Sequence, residues 1–507
     1  MSALTELVLG HAAERPDQVA LRDGADELTY GELVHRARLL AARLRAAGVG
    51  PGDHVAMAVP RSVHSVAATV ATWLAGAVHV PIDPAQPRAR QRAILERARP
   101  RLSIGELPDA AGARWAADEL RRAPPAAPAA LTAQVTIDPQ PEQPADEQIA
   151  YCMFTSGSTG LPKGVQISHR ALTAFYEDIV AVHDVGPESR CLNTAPAFFD
   201  VTVLDTWFPL TRGASVRLTQ PEDLFPPRFL ALLQSARITH FCAVAPVLHL
   251  VAQFGTLLQR VALPELRCIM TGAESPQPPL MRAWLGAAPG VRILNGYGPT
   301  EATCVCTVHV IEQGDAAARY PIGRALARTQ VVLVDEAGAP SDERGELWIG
   351  GPQLMSGYLG GPEETARRLG HLDGVPYYRS GDLCVREPDG ALYYAGRVDA
   401  EVKLAGYRIH LAEVQRAAEQ SGLVAGAFAA LTPGEGGPRL TLAVVPANTA
   451  AAAAPGALEA ELVAAMRLHV PAYMIPARVV VLARFPTLGS GKVDASHLRE
   501  LLAASDR

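Results

Sequence analysis

The sequence predicts an α/β protein: a large N-terminal domain of parallel-sheet α/β layers plus a small β-rich part, followed by a compact α+β unit at the C-terminal end. Three observations carry this. Short apolar runs such as Val78 to Pro81 and Ala150 to Thr155 end in turn residues and read as buried strands. Between such runs lie stretches like Gly31 to Ala47, whose apolar residues recur at the three- and four-residue spacing of a helix, and that alternation builds layers on largely parallel sheets. From about Val331 the pattern changes to hairpins with turns at Glu336-Ala337-Gly338 and Pro388-Asp389-Gly390, and from about Asp399 a separate set of strand and helix signals begins.

At 507 residues the chain is too long for one ordinary core, and the expected division is 1–398 and 399–507. The longest apolar run, Val66 to Ile82, is broken by Gly76, His79 and Pro81, so it reads as a buried helix running into a strand rather than a membrane span. Residues 122–148, rich in Pro, Ala and acidic groups, are expected to be a surface connection, and the Ala-rich run 449–456 a low-complexity loop.

Hydrophobic content of 49% with a net charge of −6 fits a soluble globular protein and argues against nucleic acid as a partner. No basic stretch followed by an apolar segment and a cleavage site opens the chain. The seven cysteines form no CxxC pair, and Cys304 and Cys306 are too close for ordinary zinc spacing, so a reducing cytoplasm is expected, without disulfides or a metal cage. Of the 46 basic residues, only Lys163, Lys403 and Lys492 are lysines. A lysine kept in so arginine-rich a chain suggests a need for a compact ammonium on a flexible stem.

Residues 155–164 read TSGSTGLPKG, directly after the strand Ile149 to Phe154. The glycines free the backbone to turn N–H groups toward an anion. Thr155, Ser156, Ser158 and Thr159 offer hydroxyls around Gly157 and Gly160, and Lys163 adds charge. Together these make a phosphate cradle. It is not a Walker A loop, because Lys163 is followed by Gly164.

This loop resembles the signature of the adenylate-forming superfamily, which includes acyl-CoA synthetases, luciferases and the adenylation domains of nonribosomal peptide synthetases. The resemblance runs in order along nearly the whole chain. Leu28-Thr-Tyr-Gly-Glu-Leu33 and Trp73 to Asp83 are similar to the first two peptide-synthetase motifs. Asn295-Gly-Tyr-Gly-Pro-Thr-Glu301, Gly345 to Leu359 and Tyr378 to Leu383 are similar to the middle ones. Gly396 to Val414, Val470 to Pro476 and Gly491 to Asp494 are similar to the last. Departures are Ala405, His410 to Ala412 and Ser356, where the family has commoner Arg, Glu-Leu-Gly and Arg types.

The resemblance implies ATP and Mg²⁺ as cofactors, with a nucleotide site that includes Asn295 and Gly296. It implies that Tyr297 stacks on adenine, that Thr300 bonds a phosphate and that Glu301 holds the metal. Asp382 would accept the ribose hydroxyls with Arg397 nearby. Lys492, in a glycine turn, would be the catalytic ammonium that bridges the attacking carboxylate and the α-phosphate. The small β-rich part would be barrel-like. The C-terminal domain would be a mobile lid hinged at Asp399, with Lys403 in the loop that lines the thiol tunnel.

An aspartate at position 200, in PAFFDVTVLD, pairs with the substrate α-ammonium in amino-acid-activating members; a helix cap is the structural alternative. The side-chain pocket carried over from the family is Val201, Leu204, Ala243, Met270, Gly272, Gly296, Cys304 and Val305. With no side chain among them that is charged at neutral pH, a small uncharged amino acid such as alanine, glycine or serine is expected. No Gly-Gly-[Asp/His]-Ser attachment site follows the GSGKVDA turn, so a free-standing ligase is expected, similar to D-alanine–carrier protein ligases. Its partner would be a discrete carrier protein bearing phosphopantetheine, with no nucleic acid and no membrane. A CoA ligase for a small carboxylic acid and a non-catalytic nucleotide-binding scaffold are the alternatives.

Overall fold

The computed structural model describes residues 3–24, 26–108, 112–121, 147–157, 161–315, 317–399, 401–434, 437–448, 455–487 and 493–504. The chain divides into two compact units. The first comprises Met1–Pro84, Arg97–Phe154 and Gly164–Val398; the second comprises Ala85–Glu96, Thr155–Lys163 and Asp399–Arg507. Two short segments from the N-terminal half therefore group with the C-terminal residues, which a single cut in the sequence does not anticipate.

Among the described residues, the first unit contains three sheets. A nine-stranded sheet runs, in spatial order, through Arg324–Ala325, Thr307–Ile311, Arg292–Tyr297, Cys268–Gly272, His240–Cys242, Arg190–Asn193, Ser215–Leu218, Val19–Asp23 and Asp26–Thr29. Its central pairs are parallel. A seven-stranded sheet carries Ile149–Thr155 and Val78–Pro81 at its centre, beside Lys163–Ser168 and His54–Ala58. The third sheet is the β-rich part: six antiparallel strands between Gln330 and Arg397, dominated by Arg344–Gly350 and Val375–Arg386. The second unit holds the hairpin Glu401–Leu404/Tyr407–His410 and a three-stranded sheet of Val424–Thr432, Arg439–Pro446 and Arg478–Val481.

Two of the sequence motifs are architectural. In Leu28 to Leu33, the Thr29 side chain accepts from the Glu32 amide while Glu32 accepts from the Thr29 amide at 2.9 Å. This capping box starts the helix Tyr30–Ala46. In Trp73 to Asp83, the helix Val63–Leu74 ends in a Schellman turn, with Gly76 N bonded to Trp73 O and Ala77 N to Thr72 O. Gly76 has φ +78°, which glycine adopts without strain, and the chain leaves it straight into the strand Val78–Pro81. The run from Val66 is thus the helix-into-strand that its interruptions imply, and among the described residues no helix is long and apolar enough to cross a membrane. At the end of the Ala-rich run, Pro455 opens the helix Pro455–Met466 where the sequence predicts a loop; proline suits a first helical turn. Residues 122–146 and 449–454, which hold most of the expected surface connection and of that loop, lie outside the described residues.

The largest core joins both parallel sheets and the helix Val63–Leu74, which buries nearly every side chain. Three core histidines are held neutral by burial: His79 and His183 are pushed down to about 3 and His240 to about 4. A folded pKa below the unfolded one gives stability that is present above pH 6.5 and lost as pH falls toward the folded value. Each histidine should therefore remove up to about 1.4 kcal/mol per pH unit below about pH 6. Urea midpoints are expected to drop steeply between pH 6.5 and 4.5, and His183→Gln should make that drop shallower. An unchanged slope would exclude this origin.

Candidate active site

The segment Asn295 to Glu301 leaves the end of the strand Arg292–Tyr297 and turns sharply. A Cβ on Gly298 would lie 2.4 Å from the Cys304 carbonyl oxygen, so glycine is required for that close approach. Thr303 and Cys304 follow in left-handed conformation, at φ 56° and 74°. Two consecutive non-glycine residues in this region store strain of the kind that gathers at functional sites. The Thr303 hydroxyl, bonded to Gln353 O at 2.6 Å, helps hold the turn.

Three side chains of this segment each hydrogen-bond a different partner. The Tyr297 hydroxyl donates to Asp382 Oδ2 at 2.5 Å. The Thr300 hydroxyl donates to Asp200 Oδ2 at 2.5 Å, across 100 residues of sequence. Glu301, only 1% exposed, accepts the Tyr358 hydroxyl at 2.7 Å. Asp382 stands directly opposite Arg397 in the antiparallel pair, and the guanidinium bonds its Oδ1 at 2.5 Å. Two of the roughly four acceptor directions of the Asp382 carboxylate are thereby taken by protein groups. The Thr300 proton, expected from the resemblance to meet a phosphate, is committed to Asp200 here. Asn295 turns inward and donates to Pro321 O at 2.7 Å.

Asp200 lies on the loop that runs from the strand Arg190–Asn193 into a π-helix, Val203–Trp207, whose N-cap is Thr202. A second aspartate, to which the motif series gives no role, pins this loop. Asp205 is buried, accepts from the Thr194 and Ala195 amides at 2.9 Å each, and from Asn193 at 2.7 Å. Arg61 adds bonds to Asn193 Oδ1 and Ala195 O, both at 2.9 Å. Burial pushes the Asp205 carboxyl up, and those hydrogen bonds pull it back toward the charged form. The signal available in the sequence was the pair of acidic residues five apart in PAFFDVTVLD.

The pocket residues come together. Leu204, Met270, Cys304 and Val305 belong to one packed cluster, with Val201 against it. A Cβ on Gly296 would sit 3.0 Å from Met270 Sδ and 3.2 Å from a Val305 methyl, and one on Gly272 would sit 2.3 Å from Gly296 O. Both glycines thus mark places where neighbouring groups close in on the backbone. Ala243 is tied to Met270 by its amide.

In the second unit, the hydroxyl of Ser156 donates to Arg408 O at 2.9 Å. Arg90 and Glu413, 3% and 4% exposed, form an ion pair, and the Gly157 amide also acts on the Glu413 carboxylate. Gly157 and Lys163 pack tightly: a Cβ added to Gly157 would lie 2.2 Å from Leu161 O and 3.1 Å from Lys163 Cε. Lys163 is buried. Lys403 pairs with Arg408 across a hairpin whose turn residues, Ala405 and Gly406, are both left-handed. The Asp399 carboxylate accepts the Glu401 amide at 3.2 Å. Ser158, Thr159, Gly160 and Lys492 lie outside the described residues. No three His, Cys, Asp or Glu side chains gather as metal ligands among the described residues.

The sequence pattern described as AMP-binding enzyme matches residues 9–359. A linear gramicidin synthase of Brevibacillus parabrevis is 36% identical over 509 residues, covering 97% of this chain and 6% of that protein. Isonitrile lipopeptide synthase of Streptomyces coeruleorubidus is 36% identical over 506 residues, 97% of this chain and 33% of that protein. The chain therefore spans only a minor part of these relatives' length. Among solved structures, holo-PA1221, described as an NRPS protein containing adenylation and PCP domains, superposes with a TM-score of 0.81 at 27% identity, over 98% of this chain and 83% of that one. IdnL1 gives 0.77 at 30% identity, over 95% and 98%.

Proposed function

The chain belongs to the AMP-binding enzymes, ligases that adenylate a carboxylate, and on that premise we propose that it activates a small, uncharged amino acid of about alanine's size. The product is the aminoacyl-AMP, with release of pyrophosphate. The acyl group then passes to the phosphopantetheine thiol of a separate carrier protein.

One observation carries the amino-acid reading: the Asp200 carboxylate, held by Thr300, next to a pocket that is apolar and uncharged throughout. Asp200 is half-buried, and an α-ammonium brought against its carboxylate by a bound amino acid would meet an opposite charge in place of the water it loses. The ATP phosphates lie along Thr155 to Lys163. Tyr297, Asp382 and Arg397 hold the nucleoside, and Lys492 bridges the reacting anions. Glu301 is the one carboxylate of its segment, and with phosphate oxygens and water it suits Mg²⁺, which would neutralise the triphosphate. Asp399 is the hinge about which the C-terminal lid turns between half-reactions.

Because a Cβ on Gly157 would collide with the Leu161 carbonyl, Gly157→Ala should distort the phosphate loop. The expected result is at least a tenfold higher KM for ATP, about 1.4 kcal/mol, with little change in the KM for the amino acid. An unaltered KM for ATP would remove the loop from the triphosphate site. Amino-acid-dependent ATP–pyrophosphate exchange over a substrate panel tests the whole proposal. Small neutral amino acids should support it, and a strong preference for glutamate, arginine or a fatty acid would refute it.

A further inference from the structure

Behind the pocket lie two polar side chains that the apolar pocket reading does not use. Tyr151 and His79 stand in register on the adjacent parallel strands Ile149–Thr155 and Val78–Pro81. Both rings pack on Trp207, with centroids at 5.5 and 5.8 Å. Tyr151 is 0% exposed and His79 1%. Among the described residues, Tyr151 Oη and both ring nitrogens of His79 have no hydrogen-bond partner.

These groups adjoin the substrate site. Tyr151 shares one packed cluster with Leu204, Met270, Cys304 and Val305, and Trp207 closes the π-helix that Leu204 belongs to. The electrostatic neighbours of the Tyr151 hydroxyl are Asp200, Cys304 and Tyr176. Tyr176 is itself bonded to Val203 O at 2.8 Å, within the same element. Burial keeps the Tyr151 phenol protonated and His79 neutral, so neither carries a charge that a substrate would have to match. A buried hydroxyl left unpaired costs about 1–3 kcal/mol, which a polar group on the substrate would recover.

We infer that Tyr151 Oη, with the His79 imidazole beside it, forms a hydrogen-bonding floor to the substrate pocket, so that the preferred amino acid carries a hydroxyl on its side chain. This rests on the amino-acid activation proposed above and narrows its substrate class. Serine is the smallest amino acid that meets this description, and threonine is the larger alternative. Sites built to hydrogen-bond a substrate group discriminate strongly against the analogue lacking it, whereas apolar pockets do not.

The test is ATP–pyrophosphate exchange by the full chain with two pairs, serine against alanine, which lacks only the hydroxyl oxygen, and threonine against its isostere valine. In at least one pair the hydroxyl member should have a kcat/KM at least tenfold higher. Tyr151→Phe should cut that ratio at least tenfold. Exchange with alanine or valine at a ratio indifferent to Tyr151→Phe overturns this inference and leaves amino-acid activation standing. Should the variant fail to fold, the wild-type panel decides, and preference for both apolar members overturns the inference. No exchange with any amino acid overturns the activation proposal, and this inference with it.

Discussion

Lys492→Ala is expected to lower amino-acid-dependent pyrophosphate exchange by a factor of about 10² to 10³, or roughly 3–4 kcal/mol in the adenylation barrier. When a carboxylate approaches the α-phosphorus, two anions must be brought together in a site from which water is largely excluded. An ammonium between them offsets the repulsion as it peaks, so its loss should fall on kcat rather than on the KM for either substrate. Thiol transfer from chemically supplied aminoacyl-AMP does not bring those anions together and should be much less affected. Exchange within threefold of wild type would remove Lys492 from the reaction. Arginine should not restore it, since a planar guanidinium does not reproduce a compact charge on a flexible stem.

Asp200→Asn should be nearly as damaging, but in a different way. The variant keeps a group that can accept the Thr300 proton, which is bonded to Asp200 Oδ2 at 2.5 Å, so the local fold should survive. What it removes is the negative charge that we propose faces the α-ammonium. Leaving a buried ammonium unpaired costs about 3–5 kcal/mol, so exchange with amino acids should fall by about 10² or more. The same variant should lose much less with a substrate of similar size lacking the amine, such as propionate in place of alanine. Equal loss for both would mean that Asp200 supports the loop rather than the substrate, as Asp205 does.

Much of the architecture was legible because its signals are local. The strands at Val78–Pro81 and Ile149–Thr155 and the helix Tyr30–Ala46 lie within a residue of the apolar pattern. Their ends are written in short-range chemistry: a capping box at Thr29 and Glu32, a glycine after Leu74 and Ala75. The motif series marked Tyr297, Thr300, Glu301 and Asp382 as one group, yet the bonds among them could not be read. Tyr297–Asp382 and Thr300–Asp200 join residues 85 and 100 positions apart, on different strands and loops. Asp205 and Tyr151 lie outside the motif series, and Tyr358 is given no role within Gly345 to Leu359; only the crossing of strands shows what each touches. The grouping of Ala85–Glu96 with the C-terminal residues was hidden for the same reason, since the Arg90–Glu413 pair spans 323 positions.

Attack of a carboxylate oxygen on the α-phosphorus of ATP is tested most directly by isotope transfer. Serine or alanine labelled with ¹⁸O in both carboxylate oxygens, turned over with ATP and a thiol acceptor, should yield pyrophosphate and AMP carrying one ¹⁸O atom. The label moves because the oxygen that bonds phosphorus stays with AMP when the thiol takes the acyl carbon. Unlabelled AMP, or ADP and labelled phosphate in its place, would contradict the account.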